Sequence, residues 1–349
     1  MNGIDRRAFL AFLPALAYAP RALAQSSPQL KVSGINHVTI RVRDLKRSID
    51  FYQELFGLPI AARQGSSTVS LQIGSGPQEL GISTAASGAP ATIDHYCLGI
   101  ENFSVDRVLQ VLAAHGITRA DERAPMKVVV RARGPEAGGA PGGTPEVHMF
   151  DADGLDVQLQ DSRYCGGAGP LGNSCPSVEK PPKPGLLPLK GWSHLTMFVP
   201  DGQKANAFYR DLFGMGIRSY QGPTSPTLAA GGGVEFLMYT GGGGARGGAA
   251  AGPPRPASIN HFCMNLENFN VEQVQKALEK VGVQPREGQT GPVGPMRHYV
   301  SMRMENRGGA KEGTPELYFT DPDGLLVQLQ DVKYCGGSGV LGEVCPPVA

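Results

Sequence analysis

A chain of 349 residues, 41% hydrophobic and 18% charged, carries enough apolar material for about two domains, each expected to have its own core. Its 32 Lys and Arg against 31 Asp and Glu leave a formal charge of +1, which excludes the basic excess that attracts phosphate backbones or anionic lipid, so nucleic acid is set aside as a partner. The 48 glycines and 29 prolines concentrate in 134–143, 241–256 and 307–313, which read as flexible loops.

Residues 1–24 have the form of a twin-arginine signal peptide. Arg6-Arg7 precedes a modestly apolar run to Tyr18, and Ala22-Leu23-Ala24 supplies a small-x-small cleavage site. The alternative is an amphipathic first helix of the mature fold, since the run is too short to span a bilayer. The signal predicts a periplasmic or secreted protein with no stable membrane anchor after cleavage.

In the mature chain, His37 to Val42 alternates as a half-buried strand. Asp44 can cap a helix whose apolar positions Leu45, Ile49, Tyr52, Leu55 and Phe56 recur at helical spacing, and Gly57 stops it. Strand-like runs follow at Thr68–Ile73 and Glu79–Ser83. The pattern restarts at His95 with a strand, a helix over Ser104–His115 stopped by Gly116, and strands ending at Val157–Gln160. Each half-unit therefore reads as βαβββ.

The whole arrangement then repeats. INHVTIRVRDLKRSIDFYQELFG (35–57) matches WSHLTMFVPDGQKANAFYRDLFG (192–214), IDHYCLGIENF (93–103) matches INHFCMNLENF (259–269), and TPEVHMFDADGLDVQLQD (144–161) matches TPELYFTDPDGLLVQLQD (314–331). The prediction is an α+β protein of four βαβββ modules paired into two domains, 25–176 and 191–349, joined by the Pro/Lys-rich stretch 177–190. Each copy ends in a Tyr-Cys-Gly-Gly segment with a second Cys-Pro downstream, which predicts disulfides Cys165–Cys175 and Cys335–Cys345. The remaining cysteines, Cys97 and Cys263, stand two residues after His95 and His261; they are either small core residues or thiols lining a cavity.

A His on the first strand, the FYxxLFG helix, a second His opening the next module and Asp321-Pro322-Asp323-Gly324 before the last strand resemble the vicinal-oxygen-chelate (VOC) superfamily. That superfamily includes glyoxalase I, extradiol ring-cleaving dioxygenases and bleomycin resistance proteins. The resemblance implies tandem cup-shaped sheets and one divalent metal per domain: Fe(II) or Mn(II) in a dioxygenase, Ni(II), Zn(II) or Co(II) in a glyoxalase, and none in a resistance-type binder. Carried over residue by residue, it places His37, His95 and Gln158 in one cup and His194, His261 and Gln328 in the other. Glu79 and Glu235, 156 apart against 157 for His37 and His194, occupy nearly the same place in each repeat and are candidates for a fourth ligand.

Gln158 and Gln328 depart from the family, which usually has Glu there; a neutral amide oxygen is the weaker donor. Leu317 to Gly324 follows the end of the extradiol signature and implies a catalytic place for Tyr318. Glu146 and Glu316 are either general bases or solvent-facing strand residues. The leading expectation is an exported metal-dependent enzyme, monomeric or homo-oligomeric, acting on a small substrate that chelates the metal through adjacent oxygens, with ring cleavage preferred. The alternatives are a glyoxalase-type lyase or isomerase and a metal-free binder.

Overall fold

A computed structural model describes residues 29–241, 256–288 and 292–348. Residues 1–24, expected from the sequence to be a signal peptide, and most of the 241–256 stretch lie outside the described residues.

The first half runs β1 (Val32–Val42), α1 (Leu45–Phe56), β2 (Ile60–Gln64), β3 (Thr68–Gln72), β4 (Glu79–Thr84), β5 (Thr92–Ile100), α2 (Val105–Ala114), the two-residue β6 (Thr118–Arg119), β7 (Lys127–Arg133), β8 (Thr144–Phe150) and β9 (Asp156–Asp161). Asp44 caps α1 by accepting from Arg47 N, and Gly57 ends it at φ 68°, a conformation glycine adopts without strain. Ser104 caps α2 in the same way.

The second half repeats this order as β10 (Leu189–Phe198), α3 (Gly202–Phe213), β11 (Ile217–Tyr220), β12 (Pro226–Ala229), β13 (Phe236–Thr240), β14 (Ser258–Leu266), α4 (Val271–Lys280), β15 (Gln284–Pro285), β16 (Arg297–Arg303), β17 (Thr314–Thr320) and β18 (Leu326–Asp331). Both halves form nine-stranded sheets, ordered β2-β3-β4-β1-β5-β9-β8-β7-β6 and its counterpart. The four expected modules are present; β2, which is short, and the β6 pair went unread.

Three expectations need correction. The halves do not have separate cores: one apolar cluster runs through both. The FYxxLFG helices explain why. Phe51 and Phe56 of α1 pack on Phe319 of β17, and the Tyr52 hydroxyl donates to Asp321 across the boundary. Reciprocally, Tyr209 of α3 donates to Asp151 and accepts from Tyr96, whose oxygen also meets Tyr239. The stretch 177–190 is no free linker either. Glu179 bridges to Ile60, Leu186 and Leu187 donate to Leu55 O, Leu187 is buried, and Leu189 already belongs to β10. Finally, 134–143 and 307–313 are hydrogen-bonded turns, each built around one turn of 3-10 helix and closed by a bond to Thr144 or Thr314.

Candidate metal centre

Strand pairing lays one row of side chains across the first sheet. Glu79 is the register partner of His37, His37 of Cys97, Cys97 of Gln158, and Gln158 of His148. Curvature of the sheet makes this row the floor and walls of a cup of about 240 Å³ lined by His37, Glu79, His95, Gln158, His148, Glu146 and Tyr164. His37 Nε2 lies 3.1 Å from Gln158 Oε1, and the His37 and His95 rings meet edge to face at 5.6 Å. His148 extends the series, its ring 5.2 Å from that of His95.

Two bulges decide how the imidazoles are oriented. Between Ile35 and His37, β1 carries the extra residue Asn36; between Thr39 and Ile40, its partner β5 carries the extra residue Asp94. Each extra residue then lies beside the histidine that follows it. Asn36 Oδ1 is 2.9 Å from His37 Nδ1, and Asp94 Oδ2 is 2.8 Å from His95 Nδ1.

The Asn36 amide is oriented because its Nδ2 donates to Tyr164 O. Oδ1 therefore faces His37, Nδ1 must carry the proton, and Nε2 is a bare lone pair directed at another lone pair, that of Gln158 Oε1. Burial, reinforced by neighbouring His95, pushes His37 well below the usual imidazole range, so no second proton resolves that contact. Two arrangements do: a cation held by both atoms, or a turned Gln158 amide whose Nε2, otherwise unpartnered, donates to His37 Nε2.

The carboxylates bear on the choice between them. Glu79 is 2% exposed, its Oε2 has no hydrogen-bond partner, and burial raises it to about 8 against the opposing bond from Ser70. Burial acts to raise Asp94 too, but His95 and Arg41 together hold it well below the normal range. Asp156 accepts from His148 Nδ1 at 2.8 Å, which outweighs burial and lowers it. Among the described residues, the group of three His, Cys, Asp or Glu ligand atoms within 4.8 Å of one another is Asp94, His95 and Asp156; His37, His95 and Glu79 do not converge that closely. That cluster is at the rim and is already neutralised by Arg41 and Arg123.

The second cup, about 360 Å³, keeps the histidines and the glutamine: His194 Nε2 is 3.1 Å from Gln328 Oε1, and the His194 and His261 rings are 5.5 Å apart. It does not keep Glu235. Phe236 is the register partner of His194 and stacks on it at 4.4 Å. The one-residue offset puts Glu235 on the opposite face of β13, where its oxygens accept from Ile35 N and Gln78 Nε2.

The other candidates are also placed. Cys97 and Cys263 are fully buried in the floor row, line neither cavity, and burial pushes both thiols up, so they are core residues. Glu146 and Glu316 do line the cups, but neither is a free base. Arg133 and Tyr164 bind Glu146, and Arg303, Tyr334 and Tyr318 bind Glu316. Tyr318 forms a wall of the second cup, stacked on Tyr299.

Both expected disulfides are formed. Each anchors a tail that spans its cup: Arg133 donates to Gly167 O, while a side chain at Gly166 would come within 3.1 Å of Glu79. The tail also brings Tyr164 to the cavity wall.

The family model for the Glyoxalase/Bleomycin resistance protein/Dioxygenase superfamily matches residues 34–159 and 191–329. The chain belongs to this superfamily. Among curated proteins none matches the sequence. Of solved structures, homoprotocatechuate 2,3-dioxygenase from Brevibacterium fuscum, in complex with 3,4-dihydroxyphenylacetate, aligns over 87% of this chain and 82% of its own with TM-score 0.58 and 16% identity. The 2,3-dioxygenase LapB from Pseudomonas sp. KL28 covers 91% and 95%, at TM-score 0.58 and 15% identity. A Mn(II)-bound glyoxalase from Novosphingobium aromaticivorans covers 86% and 82%, at TM-score 0.55 and 18% identity. At these identities the likeness is one of fold.

Proposed function

We propose that the first cup holds a divalent metal ion between His37, His95, Glu79 and Gln158, and that the protein is a metal-dependent enzyme acting on a small substrate through two adjacent oxygens. The carrying observation is the close approach of His37 Nε2 and the Gln158 amide at 3.1 Å, beside a buried Glu79 oxygen, Oε2, that has no partner. When bound, the metal would supply Lewis-acid polarisation of the substrate oxygens.

The donor count favours one reaction type. Four protein donors leave an octahedral ion two positions, which a chelating substrate fills, with none over for dioxygen. This turns the preference from ring cleavage to non-oxidative proton transfer of the glyoxalase type. His148 fits that chemistry: its Nδ1 donates to Asp156, leaving Nε2 to take and return a proton at the cup wall. The two disulfides and the twin-arginine sequence support action in an oxidising compartment outside the cytoplasm.

Elemental analysis of the folded protein tests the proposal. About one divalent ion per chain is expected, lost in His37→Ala and Glu79→Ala. In His148→Phe the metal should stay while turnover of a chelating α-hydroxycarbonyl substrate falls about 10²–10⁴-fold. Folded protein that never retains metal, or retains it without His37, overturns the site. Oxygen uptake on catechols overturns the reaction type.

A further inference from the structure

The second cup differs from the first in its chemistry as well as its shape. Aligning the repeats, Glu79 becomes Phe236, Arg41 becomes Phe198, Asp94 becomes Asn260, His148 becomes Tyr318 and Asp156 becomes Leu326. Most charges of the first cup's interior and rim are replaced by aromatic, amide or aliphatic groups. Among the described residues, the cation added to the cavity lining is Arg307, in place of Ala137, and no ion pair engages its side chain.

The bulge residue changes the meaning of the His–Gln contact. Where the first cup has Asn36, the second has Ser193, whose hydroxyl lies 3.1 Å from His194 Nδ1. A hydroxyl can donate. His194 can then carry its proton on Nε2 and give an ordinary hydrogen bond to Gln328 Oε1, with no cation needed.

That bond turns Gln328 Nε2 outward as a donor, and it has no partner. His261 Nδ1 meets Asn260 Oδ1 at 2.8 Å, which puts the ring proton on Nδ1 and leaves Nε2 an acceptor with no geometric partner; burial, opposed by the neighbouring Gln328 side chain, lowers the ring to about 4 and keeps it neutral. Gln328 is 1% exposed and His261 6%, and both line the cavity. One buried donor and one buried acceptor left open together are the complement of a hydroxyl group, which both gives and accepts. The walls beside them, Tyr318 and Phe198, are aromatic.

We infer that the second cup is a metal-independent binding site for a phenol carrying an anionic group. The phenolic hydroxyl donates to His261 Nε2 and accepts from Gln328 Nε2, the ring lies against Tyr318, and the anion pairs with Arg307. This site does not depend on the metal reading of the first cup.

Calorimetric titration with 4-hydroxybenzoate, on the full chain stripped with chelator, is the test. Binding is expected without metal and unchanged in His37→Ala. Gln328→Leu and Tyr318→Ala should each weaken it about tenfold or more while leaving the metal content of the native protein unaltered. Benzoate, lacking the hydroxyl, should bind at least about tenfold less tightly than 4-hydroxybenzoate. The advantage of 4-hydroxybenzoate over 4-methylphenol should vanish in Arg307→Ala, a surface change that leaves folding intact. Absence of binding, binding that requires metal, or loss of metal from His261→Ala with the first cup intact would each overturn the assignment. None of these results bears on whether His37 and Glu79 hold metal.

Discussion

Four cavity histidines each have a partner one position earlier in the chain: Asn36, Asp94, Ser193 and Asn260. Consecutive residues on a regular strand face opposite ways, so only a bulge allows the pairing. Such partners fix the tautomer and basicity of a metal ligand, and their loss typically costs 10–100-fold in metal affinity. Asp94→Asn is accordingly expected to weaken metal binding by about 10–100-fold with little change in melting temperature, measured by competition with a chromophoric chelator. Gln158→Glu should do the reverse, because it adds a carboxylate to the donor set.

The histidines and glutamines themselves were legible in the sequence because they recur in step. Asn36 and Asp94 were not, since strict alternation assigns them to the wrong face. His148 was obscured because its counterpart is Tyr318, and Glu235 misled because a slip of one residue reverses a strand's faces.

Helices, caps and the hairpin-rich order of strands followed from spacing, since Asp44, Gly57 and Ser104 give local signals that need no distant partner. What the helices pack against is not a local property. Tyr52 reads as one more apolar position of α1, yet its hydroxyl reaches the Asp321 turn of the other half. That turn carries a pH signature. Burial lifts Asp321 to about 6, against the hydrogen bonds it accepts from Leu325 N and Asp323 N. The unfolded carboxyl ionises near 3.8, so the native state binds the extra proton between these values. The contribution to stability is complete below about 3.8 and is lost as pH rises through 6. Asp321→Asn should flatten the pH dependence of the melting temperature across that window.

The tails are the other elements whose removal is informative. Cys165→Ser should cost roughly 2–4 kcal/mol by chemical denaturation and loosen the Tyr164 wall of the first cup, lowering metal affinity with the second cup unaffected.

For the whole molecule, the family match covers two regions that sequence alone presents as independent domains. The shared cluster and the reciprocal Tyr52–Asp321 and Tyr209–Asp151 bonds argue against independence. Residues 29–176 made alone would expose Phe51, Phe56 and the Tyr96 face to water. That fragment is expected to be unfolded or aggregated by circular dichroism and NMR dispersion, whereas the intact chain melts in one transition.

At the axis relating the two halves, Gln78 and Glu235 occupy equivalent strand positions and bond to each other, Gln78 also accepting from Trp192 N and Glu235 from Ile35 N. A dimer of two first halves would set amide against amide at this contact, and a dimer of two second halves would set carboxylate against carboxylate, part-buried and without a counter-charge. The second copy therefore cannot pair with itself at this contact without a protonated carboxyl, and engineered chimeras that swap halves are best made by exchanging Gln78 and Glu235 as a unit.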